Sequence, residues 1–238
     1  MKDNIYRSPC EQIEDFKFDA KVAQVFPDMI TRSVPAYQEI IDLSGILADY
    51  YAQDNSNIYD LGCSLGASSL AICKYAQTQA KLLAVDNSLD MVKGCKQNLL
   101  QQDFPFEVVQ SDLKDLQISR ASVVVMNFVL QFIAPEKRNE ILSKIFDGLN
   151  SNGALIIAEK IKFSNEYQQN HHESWHQHFK KANGYSELEV AQKRAALENI
   201  LISDTEQQLT NRIKNVGFSV VEKWFQAFNF VAFIAIKN

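Results

Sequence analysis

The sequence predicts an α/β fold: a mostly parallel sheet, covered by helices on both faces and finished by an antiparallel pair of strands. Three observations predict it. Short apolar runs alternate with helix-forming segments between residues 58 and 159. A glycine-bearing turn, Gly62-Cys63-Ser64-Leu65-Gly66, follows the first run, and Asp86 follows the second. The last two strand-like runs lie too close together for a crossover, so they must pair as a hairpin.

Each element has its own signal. The N-terminal segment, about residues 1–52, reads as helical with a break at Val34-Pro35, and Ile40 to Tyr51 carries apolar residues at helical spacing. A polar turn, residues 53–57, leads into the first strand at Ile58, and a helix follows the glycine turn from Ala67 to Ala76. Lys81 to Val85 reads as a second strand, and Asp86-Asn87-Ser88 opens a helix to Leu100. Phe106 to Gln110, Ser122 to Met126 and Gly153 to Glu159 read as further strands, with a helix between Pro135 and Leu149. The alternation stops at Lys160, and residues 164–201 form a polar helical insertion. A helix from Asp204 to Val216 ends at Gly217, and two strand-like runs close the chain, separated by Gln226-Ala227. The count is seven strands in a single domain over residues 1–238.

Composition narrows the function classes. Hydrophobic residues make up 46% of the 238, enough for one sizeable core. The formal charge is −5, so direct nucleic-acid binding is disfavoured, because phosphate contacts need a basic surface. The start of the chain has no apolar leader and no run is long enough to span a bilayer, so a cytoplasmic protein is expected. Cys10, Cys63, Cys73 and Cys95 form no CxxC pair and read as reduced thiols.

The strand tips point to a nucleoside ligand. Glycines in the first turn let the backbone approach it closely, and Asp86 accepts hydrogen bonds from ribose hydroxyls. The loop lacks the third glycine of the dinucleotide fingerprint, which a pyrophosphate would need. S-adenosyl-L-methionine (SAM) carries no phosphate and fits better than NAD. Ser64, Asp86, Asp112 and Asn127 stand at successive strand ends, where open α/β sheets bind ligands. Alone, each of them reads as a solvated loop residue.

Other groups invite chemistry they do not specify. His171, His172, His176 and His178 look like a metal cluster, but no third ligand and base stand at the usual spacing, so no metal is expected. Cys63 has no paired histidine and reads as a packed loop residue rather than a nucleophile. Trp224, Phe225, Phe228 and Phe230 read as sheet core or dimer contact.

The segments VAQVFPDMITRSVPAY (22–37), YDLGCSLGASSL (59–70), AVDNS (84–88), NFVLQF (127–132), HFKKANGYSELEVAQKRAALEN (178–199) and WFQAFNF (224–230) resemble the carboxy-S-adenosyl-L-methionine synthase family. The resemblance runs from about Phe16 to Ile236 and implies a Rossmann-like class I SAM-methyltransferase fold. It implies an enzyme that joins SAM to a carboxylate from prephenate, releasing phenylpyruvate and water. The product, carboxy-SAM, would supply a separate tRNA carboxymethyltransferase that converts a wobble uridine to uridine-5-oxyacetic acid. Carried over by motif, the ligand contacts are Tyr37, Gly62, Cys63, Ser64, Asp86, Asn87, Asp112, Leu113, Asn127 and Arg194. A homodimer is also implied. The chain departs from the family pattern at Ala36 (Gly), Lys181 (Arg) and Ala227 (Cys).

The implied chemistry gives Arg194 a reason. A guanidinium beside a sulfonium is repulsive unless an anion lies between them, and the new carboxylate is that anion. On spacing alone, Arg194 reads as a solvated helix residue. No protein base is specified; prephenate's leaving hydroxyl can take the methyl proton. Two other readings remain: an ordinary SAM-dependent methyltransferase with Arg194 incidental, and a non-catalytic SAM carrier.

Overall fold

The computed structural model describes residues 1–10 and 12–238; residue 11 falls inside the expected N-terminal helical segment and outside the described residues. The strands are β1 (Asn57–Leu61), β2 (Lys81–Asp86), β3 (Phe106–Gln110), β4 (Ala121–Asn127), β5 (Leu149–Lys160), β6 (Val220–Ala227) and β7 (Phe230–Ile236). They form one sheet in the order β3-β2-β1-β4-β5-β7-β6. The first five pair in parallel, and β7 runs antiparallel to both β5 and β6.

The helices are α1 (Ala20–Ser33), α2 (Tyr37–Tyr51), α3 (Ala67–Tyr75), α4 (Leu89–Leu99), α5 (Arg138–Gly148), α6 (Glu166–Ala182), α7 (Glu187–Leu197) and α8 (Glu206–Asn215). β4 is buried from Ala121 to Met126 because helices cover both its faces. On one face, Val124 and Met126 join Ile141, Leu142 and Ile145 of α5 and Leu209 and Ile213 of α8. On the other, Val123 and Val125 join Ala48 of α2, Ile72 of α3 and Leu99 of α4. Each fully buried Val, Leu or Ile contributes about 1.5–3 kcal/mol.

Chain connections run outward in opposite directions from β1 and β4, through β2 and β3 on one side and β5 on the other. A crevice therefore opens at the carboxyl ends of β1 and β4, where open α/β sheets take their ligands.

Three expectations change. Helix begins at Ala20, so the first 19 residues are not helical where described. Ser8-Pro9 interrupts any early helix, and Asp19 caps α1 by accepting from the Lys21 and Val22 amides. The segment before it lies against the insertion: the Phe16 amide donates to the Ala196 carbonyl at 2.9 Å, and the Cys10 amide to Gln192 Oε1 at 2.7 Å. The insertion is two helices, because Gly184 (φ 86) turns the chain and Ser186 starts α7 with a capping box. The hairpin turn is Phe228-Asn229, two residues later than the sequence suggested, with Phe228 at φ 52.

Candidate functional site

A cavity of about 840 Å³ occupies the crevice. Gly62, Cys63, Ser64, Asp86 and Asn87 line it from the ends of β1 and β2. Asp112, Leu113 and Asn127 line it from the ends of β3 and β4, and Tyr37 from the start of α2. Nine of the ten residues expected at the site thus share one cavity. Arg194 does not line it.

The glycine turn is shaped for close approach. Gly62 has φ 69, and a Cβ there would stand 2.4 Å from Val129 Cγ2, so no side chain fits. The Gly62 and Cys63 amides donate to the Val85 carbonyl, tying the turn to β2. Asp86 completes the tie: Oδ2 accepts the Ser64 amide at 2.9 Å and Oδ1 accepts the Ser88 amide at 2.8 Å. Burial raises the Asp86 carboxyl above its ordinary value, and these amides oppose the rise. Below the turn, Asp60 accepts the Ser69 hydroxyl at 2.6 Å, and burial pushes it up to about 7.

Asn127 tests whether a SAM-like ligand fits. Its Nδ2 donates to Ser44 Oγ at 3.3 Å and Ser68 Oγ at 3.1 Å. Its Oδ1 is buried and has no partner. A buried, unpaired carbonyl oxygen is costly, and an ammonium in the cavity would satisfy it. The donor set suits SAM: Asp86 would take the ribose, Asp112 and Leu113 the adenine, and the glycine turn and Asn127 the amino-acid half.

Cys63 lines the cavity with a buried side chain. Contact with the Cys95 thiol and burial push its thiol far up, so the thiolate is suppressed. Burial likewise raises the Tyr37 phenol. Among the four histidines only His176 lines the cavity; its Nε2 donates to the Ser33 carbonyl at 2.7 Å, and burial pushes it down to about 2. His171 and His178 bond to carbonyls of their own helix. Among the described residues, no three His, Cys, Asp or Glu side chains are grouped as for a metal ion.

Residues 58–153 match the model of a methyltransferase domain family. The fold resembles a SAM-dependent methyltransferase from Aquifex aeolicus (TM-score 0.61, 14% identity, 93% of this chain and 100% of that one). It also resembles magnesium protoporphyrin IX methyltransferase from Synechocystis with bound SAM (TM-score 0.57, 16% identity, 85% and 80%). At those identities the likeness shows the fold alone. The sequence is 47% identical over 239 residues to the carboxy-S-adenosyl-L-methionine synthase of Histophilus somni strain 129Pt, covering 99% of each chain. It is 48% identical, with the same coverage, to that of Actinobacillus pleuropneumoniae serotype 7. The chain belongs to the carboxy-S-adenosyl-L-methionine synthase family.

Within this synthase-family chain, the sequence leaves open whether Arg194 serves its own subunit or a second one, and the structure places it outside its own cavity. Arg194 sits on the outer face of α7, its side chain 64% exposed, with Nη2 3.3 Å from Glu173 Oε2. It lines a separate groove with Lys181, Glu187 and Ala191. Lys181 pairs there with Glu187 at 3.3 Å, so it too stands away from the cavity. Ala36, where the family pattern has glycine, adopts φ 53 at the start of α2, a conformation glycine takes without strain.

Sequence reasoning missed several groups. Glu159, near the end of β5, accepts the Val129, Leu130 and Gln131 amides and shapes the loop below the cavity. Lys160, Lys180 and Lys193 line the cavity from β5, α6 and α7. A charged residue closing the apolar run GALIIAEK was the available signal for Glu159 and Lys160. Nothing in the sequence groups Lys180 and Lys193 with them.

Proposed function

We propose that this protein makes carboxy-SAM from SAM and prephenate, releasing phenylpyruvate and water. One observation carries the reading: a chain that matches synthases of that name end to end gathers Tyr37, Gly62, Ser64, Asp86, Asp112 and Asn127 around one cavity. The reaction balances. Prephenate loses carbon dioxide and hydroxide as its ring becomes aromatic. A methyl proton of SAM joins the hydroxide as water, and the methyl carbon forms a new bond to the carbon dioxide. This chain's residues bind and orient: Asp86 holds the ribose, Asn127 Oδ1 accepts from the ammonium, and the glycine turn faces the amino-acid half.

In this reading Arg194 meets the new carboxylate from a second copy of the chain. Its exposure on α7, outside its own cavity, supports delivery across a homodimer. The product then serves a separate carboxymethyltransferase that acts on a tRNA wobble uridine. Direct RNA contact is not part of this protein's role, in keeping with its −5 charge.

Isotope-labelled prephenate tests the reaction. Label in the ring carboxylate appears in carboxy-SAM if the reading holds, and product without label sinks it.

A further inference from the structure

The cavity has a cationic end that SAM, itself a net cation, does not neutralise. Lys160 ends β5, Lys180 lies on α6 and Lys193 on α7, and all three line the cavity. Lys193 is 6% exposed; its Nζ is 3.1 Å from Ser33 Oγ and 3.9 Å from Asp3 Oδ2. The Lys160 and Lys180 ammonium groups have no ion-pair or hydrogen-bond partner among the described residues. Burial, then mutual repulsion, holds Lys180 down to about 7. Burial holds Lys193 down to about 8 and lowers Lys160.

Nearby carboxylates do not balance this charge. Asp3 serves Lys193, and it also accepts the Tyr185 hydroxyl. Glu173 lies near Lys160 but is already bonded to Arg194 and Gln169. Asp28 and Arg32 pair with each other at 3.1 Å. His176, between the lysines and Phe230, is held neutral. Asp3 serves Lys193 and Glu173 serves Arg194, leaving Lys160 and Lys180 without a carboxylate of their own.

Sheet order fixes where this charge sits. Along β3, β2, β1, β4 and β5, the strand ends carry Asp112, Asp86, the glycine turn, Asn127 and Lys160 in turn. A ligand laid with adenine at Asp112, ribose at Asp86 and ammonium at Asn127 holds its sulfonium between the last two, one strand from the lysines at the end of β5. Adding a sulfonium to uncompensated ammonium groups is unfavourable unless an anion joins them. Tyr37, Phe128 and Phe230 wall this end with apolar surface.

We infer that Lys160, Lys180 and Lys193 form the subsite for the second substrate, binding the two carboxylates of a small dicarboxylate while the aromatic wall holds its apolar body. Naming that substrate prephenate rests on the proposed function; the subsite itself does not.

The test compares wild type with Lys160→Met and Lys180→Met, near-isosteric changes that remove a recessed charge. Losing one charge-assisted contact raises the KM for prephenate about tenfold to a hundredfold, while the SAM Kd stays within about twofold. Lys180→Arg, which keeps the charge, restores KM most of the way. An unchanged KM, or a weakened SAM Kd, overturns the inference and leaves the proposed reaction standing. If wild type does not consume prephenate, glutarate is the probe: stabilisation of wild type but not of the Met variants against heat keeps the dicarboxylate subsite while the reaction falls. No stabilisation of wild type overturns the subsite.

Discussion

Glu159 accepts the backbone amide of Leu130 at 2.7 Å. The same carboxylate takes the Val129 and Gln131 amides at 3.0 Å each, so one side chain from β5 satisfies three donors that open the short helical turn Leu130–Phe132. That turn carries Val129, Gln131 and Phe132 to the cavity wall. Glu159→Gln keeps one acceptor oxygen and turns an NH2 toward an amide. Chemical denaturation should show a loss of about 1–3 kcal/mol. Burial pushes Glu159 up to about 8 against the amides that pull it down. Its folded form therefore holds a proton that the unfolded chain has lost, and its share of stability falls as pH rises from about 4.5 to 8. The Gln variant should lack that slope.

Asp86 links two strand ends and faces the cavity. Asp86→Asn loses the charged acceptor that the proposed function assigns to the ribose and disturbs the bond to the Ser64 amide. Calorimetric titration should show SAM affinity falling about tenfold to a hundredfold, with the near-ultraviolet circular dichroism of the folded state retained.

Lys180 gives a pH signature opposite to that of Glu159. With Lys180 held to about 7 against an ordinary 10.5, the unfolded chain binds more protons across that window, so stability rises with pH there. Lys180→Met removes the cost of a recessed charge. Urea titrations should find the variant more stable than wild type at pH 6, with the gap narrowing by pH 10. A constant gap would show that the lysine is fully solvated.

Arg194 separates the clamp from the pocket. Arg194→Ala should abolish retention of the carboxylated ligand and leave SAM binding within about twofold. Mixed dimers of Arg194→Ala and Asp86→Asn chains, each impaired alone, should regain activity if the guanidinium crosses between subunits. Mixed dimers as impaired as their parents place its action within one chain.

The sheet was legible because its signal is local. Val123, Val124 and Val125 are β-branched and wholly buried, and the glycine turn sits between a strand and a helix, as its composition required. Asp86 and Asn127 were legible for the same reason: a strand end fixes where its residue points. The first 19 residues misled because their helix-compatible composition is overruled by tertiary contacts, Phe16 to Ala196 and Cys10 to Gln192. Lys160, Lys180 and Lys193 were invisible as a group because three separate elements bring them together. Arg194 matches the family pattern in sequence, yet its spacing does not say whether it faces a ligand.

The ligand that purifies with the protein tests the central claim most directly. Mass spectrometry of small molecules released from the undenatured, freshly isolated protein should find a species heavier than SAM by one carbon dioxide. Finding only SAM or its demethylated form would contradict carboxy-SAM synthesis and leave a methyl-donor site.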